Sequence, residues 1–388
     1  MNKFYENALK IKDEIIKNRR RIHGYGGIGF ELEETAEFVK QYLQGLGLEP
    51  IEICKSGIVC TIGQGDKCIL LRADMDALPI IEESGLEFAC TNGTMHACGH
   101  DMHAAMLLGA AKLLVQKKDE LCGRVKLMFQ PGEEILAGAE EMIKCGLLED
   151  PKVDAALGMH VGVGRPDSYS GLVTYIIGPA STSADEFWIT LYNKEQRMVN
   201  PITAGCRLLQ GLQEISNIEI RPNEFFSMVC NVLDCNSDAA NVTPTKATIK
   251  GVIRTTDNDI RDTAKQRLES IAKYVANAYN CDVEVEYVRG VGPMITDEKL
   301  CTELIEYVKE IVDEDKIVRE EYGQGAEDFA AVCREVPGMF INLGAGHPSE
   351  GYTAANHKST VIFNEDVLPL GAAIYATCAF NWLENHCK

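Results

Sequence analysis

The sequence predicts an α/β fold, in which a larger domain with a mostly parallel sheet flanked by helices is interrupted by an inserted ferredoxin-like βαββαβ domain. Three observations carry this expectation. Short apolar runs at 68–71, 125–129, 153–159 and 338–343 each lead into polar residues that can titrate or bind a metal, and helical stretches at 104–117 and 137–145 lie between them. That alternation argues for a sheet with substantial parallel pairing. From about 181 to 290 there is no histidine, and the pattern runs strand, helix, strand, strand, helix, strand. This order is the ferredoxin-like one. Gly178-Pro179 and Gly292-Pro293 bracket the block. The expected division is therefore 1–180 with 291–388 for the larger domain and 181–290 for the insertion.

The elements follow in order. Phe4, Ala8, Ile11 and Ile15 give an apolar stripe that predicts a helix over 4–22. Glycines break it, and a second helix is expected from Glu33 to Leu46, ended by Gly47. The strand at 68–71 runs into Arg72-Ala-Asp74-Met-Asp76, the strand at 125–129 into Gln130-Pro-Gly-Glu133-Glu134, and the strand at 153–159 into His160. Inside the insertion, strands are expected at 187–191, 226–233, 246–255 and 282–288, with helices at 201–215 and 260–280. A helix at 301–313 follows, and the strand at 338–343 leads to a glycine-rich loop carrying His347 and His357.

Composition excludes several classes. A chain of 388 residues has room for two cores. A net charge of −20 makes it a poor ligand for nucleic acid or an anionic membrane. No apolar run approaches the ~18 residues of a membrane span. The start, MNKFYENALKIKDEIIKNRRR, is polar and helix-forming, not an export signal. The 15 cysteines are scattered and odd in number, so they read as reduced thiols in a cytoplasm.

The chemistry concentrates in TMHACGHDMHAAMLLG at 94–109. Three of the chain's 8 histidines fall there, beside Cys98 and Asp101. Cys98 and His100 are two apart on a loop feeding a helix, so both can reach one point. A thiolate with an imidazole begins a transition-metal site. If strand ends converge as parallel sheets dictate, Asp74, Asp76, Cys98, His100, Asp101, Glu133, Glu134, His160 and His357 share one crevice. That donor set exceeds one closed tetrahedral site and suits two neighbouring ions with open positions. The Glu133-Glu134 pair offers one ligand and one general base. Three readings stay open on the residues: a metal-dependent amidohydrolase, a metal-binding protein without hydrolysis, and a cysteine hydrolase using Cys98 with His100 or His103. The third is weakest, because a thiol nucleophile needs no cluster of extra His and Glu.

The chain also resembles a known family. LLRADMDALPI (70–80), HACGHDMHAAMLLGAA (96–111), FQPGEE with GAEEMIKCGLL (129–148), GMHV (158–161), NVTP (241–244), GVIRT (251–255), GAEDFA (325–330) and NHKS (356–359) match, in order, the co-catalytic metallopeptidases of the aminoacylase and carboxypeptidase G type. The match is nearest to hippurate hydrolases, auxin-conjugate amidohydrolases and N-acetyl-diaminopimelate deacetylases. The resemblance implies hydrolysis of the amide bond of a small N-acyl amino acid or dipeptide-like substrate. It implies two divalent ions, of zinc, manganese, cobalt or nickel, held by Cys98, His100, Glu134, His160 and His357. It implies Glu133 as general acid and base, Asp76 as the buttress of the site, and Arg254 and Asn241 as holders of the substrate carboxylate or oxyanion. It also implies a homodimer through the inserted domain, which would act as a lid.

Two stretches depart from the family pattern. HxxPE is replaced by His23-Gly-Tyr-Gly-Gly27. The lid segment GKGGHxxxP, whose histidine stabilises the oxyanion, is replaced by the stretch 193–201, NKEQRMVNP, with Arg197 in the histidine's place. Losing one oxyanion donor costs ~2.7–4 kcal/mol. Arginine can donate hydrogen bonds but cannot titrate. The expectation is reduced turnover or altered specificity.

Overall fold

The computed structural model describes residues 2–193, 199–216, 220–221, 223–321, 323 and 325–387. In chain order the elements are α1 (Lys3–Lys10), α2 (Lys12–Tyr25), α3 (Glu33–Gly45), β1 (Ile51–Cys54), β2 (Gly57–Gly63), β3 (Cys68–Asp74), α4 (His100–Val115), β4 (Arg124–Gln130), α5 (Gly138–Lys144), β5 (Ala155–Gly162), β6 (Val173–Ile176) and β7 (Gly178–Pro179). There follow β8 (Ala184–Asn193), α6 (Pro201–Glu214), β9 (Phe226–Cys235), β10 (Lys246–Thr255), α7 (Asn258–Ala278) and β11 (Cys281–Val291). The chain ends with β12 (Ile295–Thr296), α8 (Glu298–Val308), β13 (Ile317–Glu320), α9 (Ala330–Glu335), β14 (Gly338–Gly344) and α10 (Leu368–His386). The single helix expected over 4–22 is two helices, because Ile11 leaves the helical region at φ −104°, ψ 14°. No helix among the described residues is long and apolar enough to cross a membrane.

Two compact units form. One comprises the described residues of 1–180, 295–322 and 331–388, the other those of 181–294 and 323–330. The larger unit holds an eight-stranded sheet in the order β1-β2-β4-β3-β5-β14-β6-β13. Its centre, β4-β3-β5-β14, is parallel, while β1 and β2 join one side antiparallel. All seven residues of β3 are buried, as expected of a parallel strand covered on both faces. Helix α4 is apolar almost all round, so it lies inside the unit with α10, α1 and α2 packed on it. Gly371 of α10 permits the closest approach: a Cβ there would sit 2.0 Å from the sulfur of Met106 on α4. This scaffold aims chemistry at one edge. Asp74 ends β3, Glu133 follows β4 by three residues, and His160 lies near the end of β5. The carboxyl ends of parallel strands are where such folds bind ligands.

The smaller unit is a four-stranded antiparallel sheet in the order β11-β8-β10-β9. Strand β10 alternates buried and half-buried residues along nearly its whole length, the signature of one covered face. Phe187, Ile189, Leu191, Ile249 and Ile253 form that face against Ala204, Leu208 and Leu212 of α6 and Leu268 and Ala272 of α7. Burying each large aliphatic side chain contributes roughly 1.5–3 kcal/mol. The helix starts are capped: Asn200 accepts from the Ile202 N–H, and Asp257 from those of Asp259 and Ile260. Strand β9 is an edge and leaves Val229 and Val232 exposed.

Candidate metal centre

The loop before α4 delivers its side chains through one conformational device. Gly99 sits at φ +94°, and a Cβ there would lie 2.5 Å from Val161. Only glycine takes this turn without a clash. The turn starts the helix at His100, four residues earlier than the apolar run alone predicts, so Asp101 falls in the first helical turn. Cys98 Sγ then lies 3.2 Å from His160 Nε2 and 3.1 Å from His357 Nε2. Glu134 Oε1 is 3.6 Å from His357 Nε2 and 4.0 Å from His100 Nε2. Glu133 Oε2 is 3.8 Å from His100 Nε2. The structure thus brings together Cys98, His100, Glu133, Glu134, His160 and His357. Their donor atoms form overlapping triads, Cys98/His100/His160, Cys98/Glu134/His357 and His100/Glu133/Glu134, each within 4.8 Å.

The donors fit divalent metals. His100 Nδ1 is 2.8 Å from the Asp76 carbonyl and His160 Nδ1 is 2.8 Å from the Val161 carbonyl. Each Nδ1–H donates there, which turns the Nε2 lone pair into the cluster. His100 Nε2 and Glu134 Oε1 are buried without a hydrogen-bond partner. Leaving such atoms unsatisfied costs about 1–3 kcal/mol each, a cost that a bound cation offsets. Electrostatics agree. Burial and the neighbouring His103 push His160 well below its usual pKa, leaving the neutral ligand form. Burial opposes a proton on His100, yet the negative charge of Asp74 holds one there well above the usual range. Surroundings that attract a proton attract a metal in its place. Burial raises the Cys98 thiol and the Glu134 carboxyl, a penalty on their charged forms that a neighbouring cation would offset.

The other sequence candidates are placed differently. Asp76 accepts from the backbone N–H groups of Glu133 at 3.1 Å and Glu134 at 3.0 Å, so it fixes the turn that presents the glutamate pair. Asp74, expected in the crevice, borders the cluster: its Oδ2 is 3.6 Å from His100 Nε2, and it also pairs with Arg72 at 2.8 Å and His103 at 2.5 Å. Asp101 is turned away from the cluster, to Arg19 at 2.6 Å and His23 at 2.8 Å. His23, near the end of α2, bridges Asp101 and Glu82 inside the unit. Burial opposes its protonation, but the two carboxylates raise its pKa to about 9. His96 is buried with both ring nitrogens unpartnered, and burial lowers its pKa to about 3. Both nitrogens of His103 are engaged, by Asp74 and by the Val161 N–H, so His103 offers no base to Cys98.

In the smaller unit, Arg254, next to last in β10, is half-buried, its guanidinium donating to Thr182 Oγ1 at 3.2 Å. Asn241 is exposed in the turn before β10. Lys194 and Arg197 lie outside the described residues.

The pattern of Peptidase family M20/M25/M40 matches residues 70–381. Thermostable carboxypeptidase 2 of Saccharolobus solfataricus is 32% identical over 395 residues, covering 98% of either chain. N-acetyl-L-cysteine deacetylase of Bacillus subtilis is 33% identical over 352 residues, covering 87% of this chain and 82% of that one. A Bacillus subtilis structure described as a dinuclear metal binding peptidase superposes with a TM-score of 0.81 at 29% identity, over 97% of this chain and 99% of that one. These matches bear out the resemblance carried by the motifs.

Proposed function

The chain belongs to Peptidase family M20/M25/M40, and on that premise we propose that it is a metal-dependent amidohydrolase acting on a small N-acyl amino acid or dipeptide-like substrate. The observation that carries this reading is the pair of triads sharing Cys98, with the orphaned His100 Nε2 and Glu134 Oε1 beside them. Cys98, His100, Glu134, His160 and His357 would hold two divalent ions, which polarise an amide carbonyl and acidify a water. One thiolate, three imidazoles and a carboxylate suit zinc, manganese, cobalt or nickel.

The rest falls to the protein. Glu133 is the general base. It takes a proton from the attacking water as the new C–O bond forms, and passes it to the amine nitrogen as the C–N bond breaks. Asp76 keeps that carboxylate in place through the two backbone N–H groups it accepts from. Arg254 and Asn241 are assigned to the substrate carboxylate or the oxyanion, on the strength of the motifs in which they stand. A homodimer through the smaller unit is supported by edge strand β9 and its exposed Val229 and Val232.

The test is a screen of N-acetyl and N-benzoyl amino acids and dipeptides, with metal content measured on the same samples. Turnover of at least one class by the metal-loaded protein is expected. Full loading with no turnover of any class would overturn the proposal.

A further inference from the structure

Two side chains without a part in this chemistry, His103 and Asn356, grip the main chain of one residue, Val161, on either side of its Cα. The Val161 N–H donates to His103 Nε2 at 2.8 Å. The Val161 carbonyl accepts from Asn356 Nδ2 at 3.1 Å and from His160 Nδ1 at 2.8 Å. Because His103 accepts at Nε2, its proton sits on Nδ1 and is donated to Asp74 at 2.5 Å. Asp74 is anchored in turn by Arg72. Asn356 also donates to the Cys98 carbonyl at 2.9 Å and accepts from the Val163 N–H at 3.1 Å. That set of partners fixes which way its amide points.

We propose that His103 and Asn356 are positioning residues that clamp the two peptides flanking Val161 and so aim His160 Nε2 at the metal. The inference rests on the assignment of Cys98, His160 and His357 as ligands. The ring of His160 has its orientation set by the bond from its Nδ1–H to the Val161 carbonyl. If that carbonyl turns, the ring turns with it. His103 fixes the preceding peptide, which joins His160 to Val161, and also packs against the ring, with centroids 4.6 Å apart. Asn356 holds the carbonyl itself. Asn356 also immediately precedes His357, whose φ of +68° is a left-handed conformation for a residue with a side chain. Its three bonds tie together the segments that carry Cys98, His160 and His357. Orienting partners of this kind govern metal affinity as directly as the ligands do.

The test is Co2+ binding to the metal-free protein, followed by visible absorption and by competition with a chelating dye. His103→Leu removes both hydrogen bonds, whereas His103→Gln keeps one donor and one acceptor at similar reach. Co2+ affinity should fall roughly 10- to 100-fold in His103→Leu and in Asn356→Ala. The absorption bands should shift in both, and His103→Gln should recover most of the loss. Parent-like affinity and spectrum in His103→Leu and Asn356→Ala would overturn the clamp while leaving the metal assignment intact. A glutamine variant as weak as the leucine variant would overturn its hydrogen-bonding basis. If circular dichroism shows His103→Leu unfolded, Asn356→Ala, at a half-buried loop position, decides. A parent protein that binds no Co2+ would sink the metal assignment itself, and this inference with it.

Discussion

The two units handle buried charge in opposite ways. In the larger one Arg19, Arg72, Asp74, His100, Asp101 and His103 are all at most 1% exposed, and they sit in or directly behind the metal cluster. In the 181–294 stretch of the smaller unit, Asp185 is the one charged side chain buried so deeply among the described residues. Its partners Arg261 and Lys265 remain 15% and 23% exposed. The rest of that unit is an amphipathic sheet and helix sandwich. Burying ions in pairs is weak support for stability. The larger unit therefore gives up some packing free energy to hold its ligands in place, while the smaller one is built for folding and surface.

The largest effect that would sharpen this contrast concerns catalysis. Glu133→Gln should lower turnover by roughly 10²- to 10⁴-fold, since the amide cannot carry the proton. Metal content and the melting temperature should stay at parental values. Parental turnover would reduce Glu133 to a structural role.

Next is the cost of a lost carboxylate in each unit. Asp74→Ala takes the carboxylate from a fully buried guanidinium and should destabilise by about 3–5 kcal/mol in urea unfolding. Asp185→Ala leaves cations that can reach water and should cost less, about 1–3 kcal/mol. Equal losses would break the comparison.

The pH dependence of stability should also divide between the units. The pKa of His23 is raised to about 9 in the folded chain, against about 6.5 when unfolded. The stabilisation is thus fully present below pH 6.5 and is lost as pH rises through about 9. It amounts to at most roughly 3 kcal/mol. His23→Gln should flatten the unfolding profile over that window. The stretch 181–294 has no histidine, so hydrogen exchange there should show no local change of this origin.

The smallest effect on folding belongs to the surface. Val229→Lys combined with Val232→Lys should shift the protein to a monomer in sedimentation, yet change unfolding free energy per chain by only about 0.5 kcal/mol for each site. A dimer that survives both charges would remove β9 as the interface.

Much of this was legible in the sequence because it is local. The runs at 68–71, 125–129, 153–159 and 338–343 became β3, β4, β5 and β14, and the order of β8 to β11 with α6 and α7 followed from alternation. Helix α10 was missed because it is apolar almost all round, so no stripe marks it. Strands β1, β2 and β6 were missed as well. The candidate cluster was visible as strand-end polar residues, but which of them face inward was not. Asp101 turns to His23, 78 residues away in sequence, and His357 reaches Cys98 across 259 residues. Spacing along a chain cannot report such partners. The roles of His103 and Asn356 depend on hydrogen bonds to backbone groups, which no side-chain pattern reveals.

The central claim is that the cluster around Cys98 holds divalent metal for amide hydrolysis. The most direct measurement follows hydrolysis of an accepted N-acyl amino acid before chelation, after chelation, and after adding back Mn2+, Co2+, Zn2+ or Ni2+. The account predicts that turnover disappears on chelation and returns with at least one of these ions, bound at up to two per chain. Hydrolysis that persists undiminished in fully metal-free protein would contradict it.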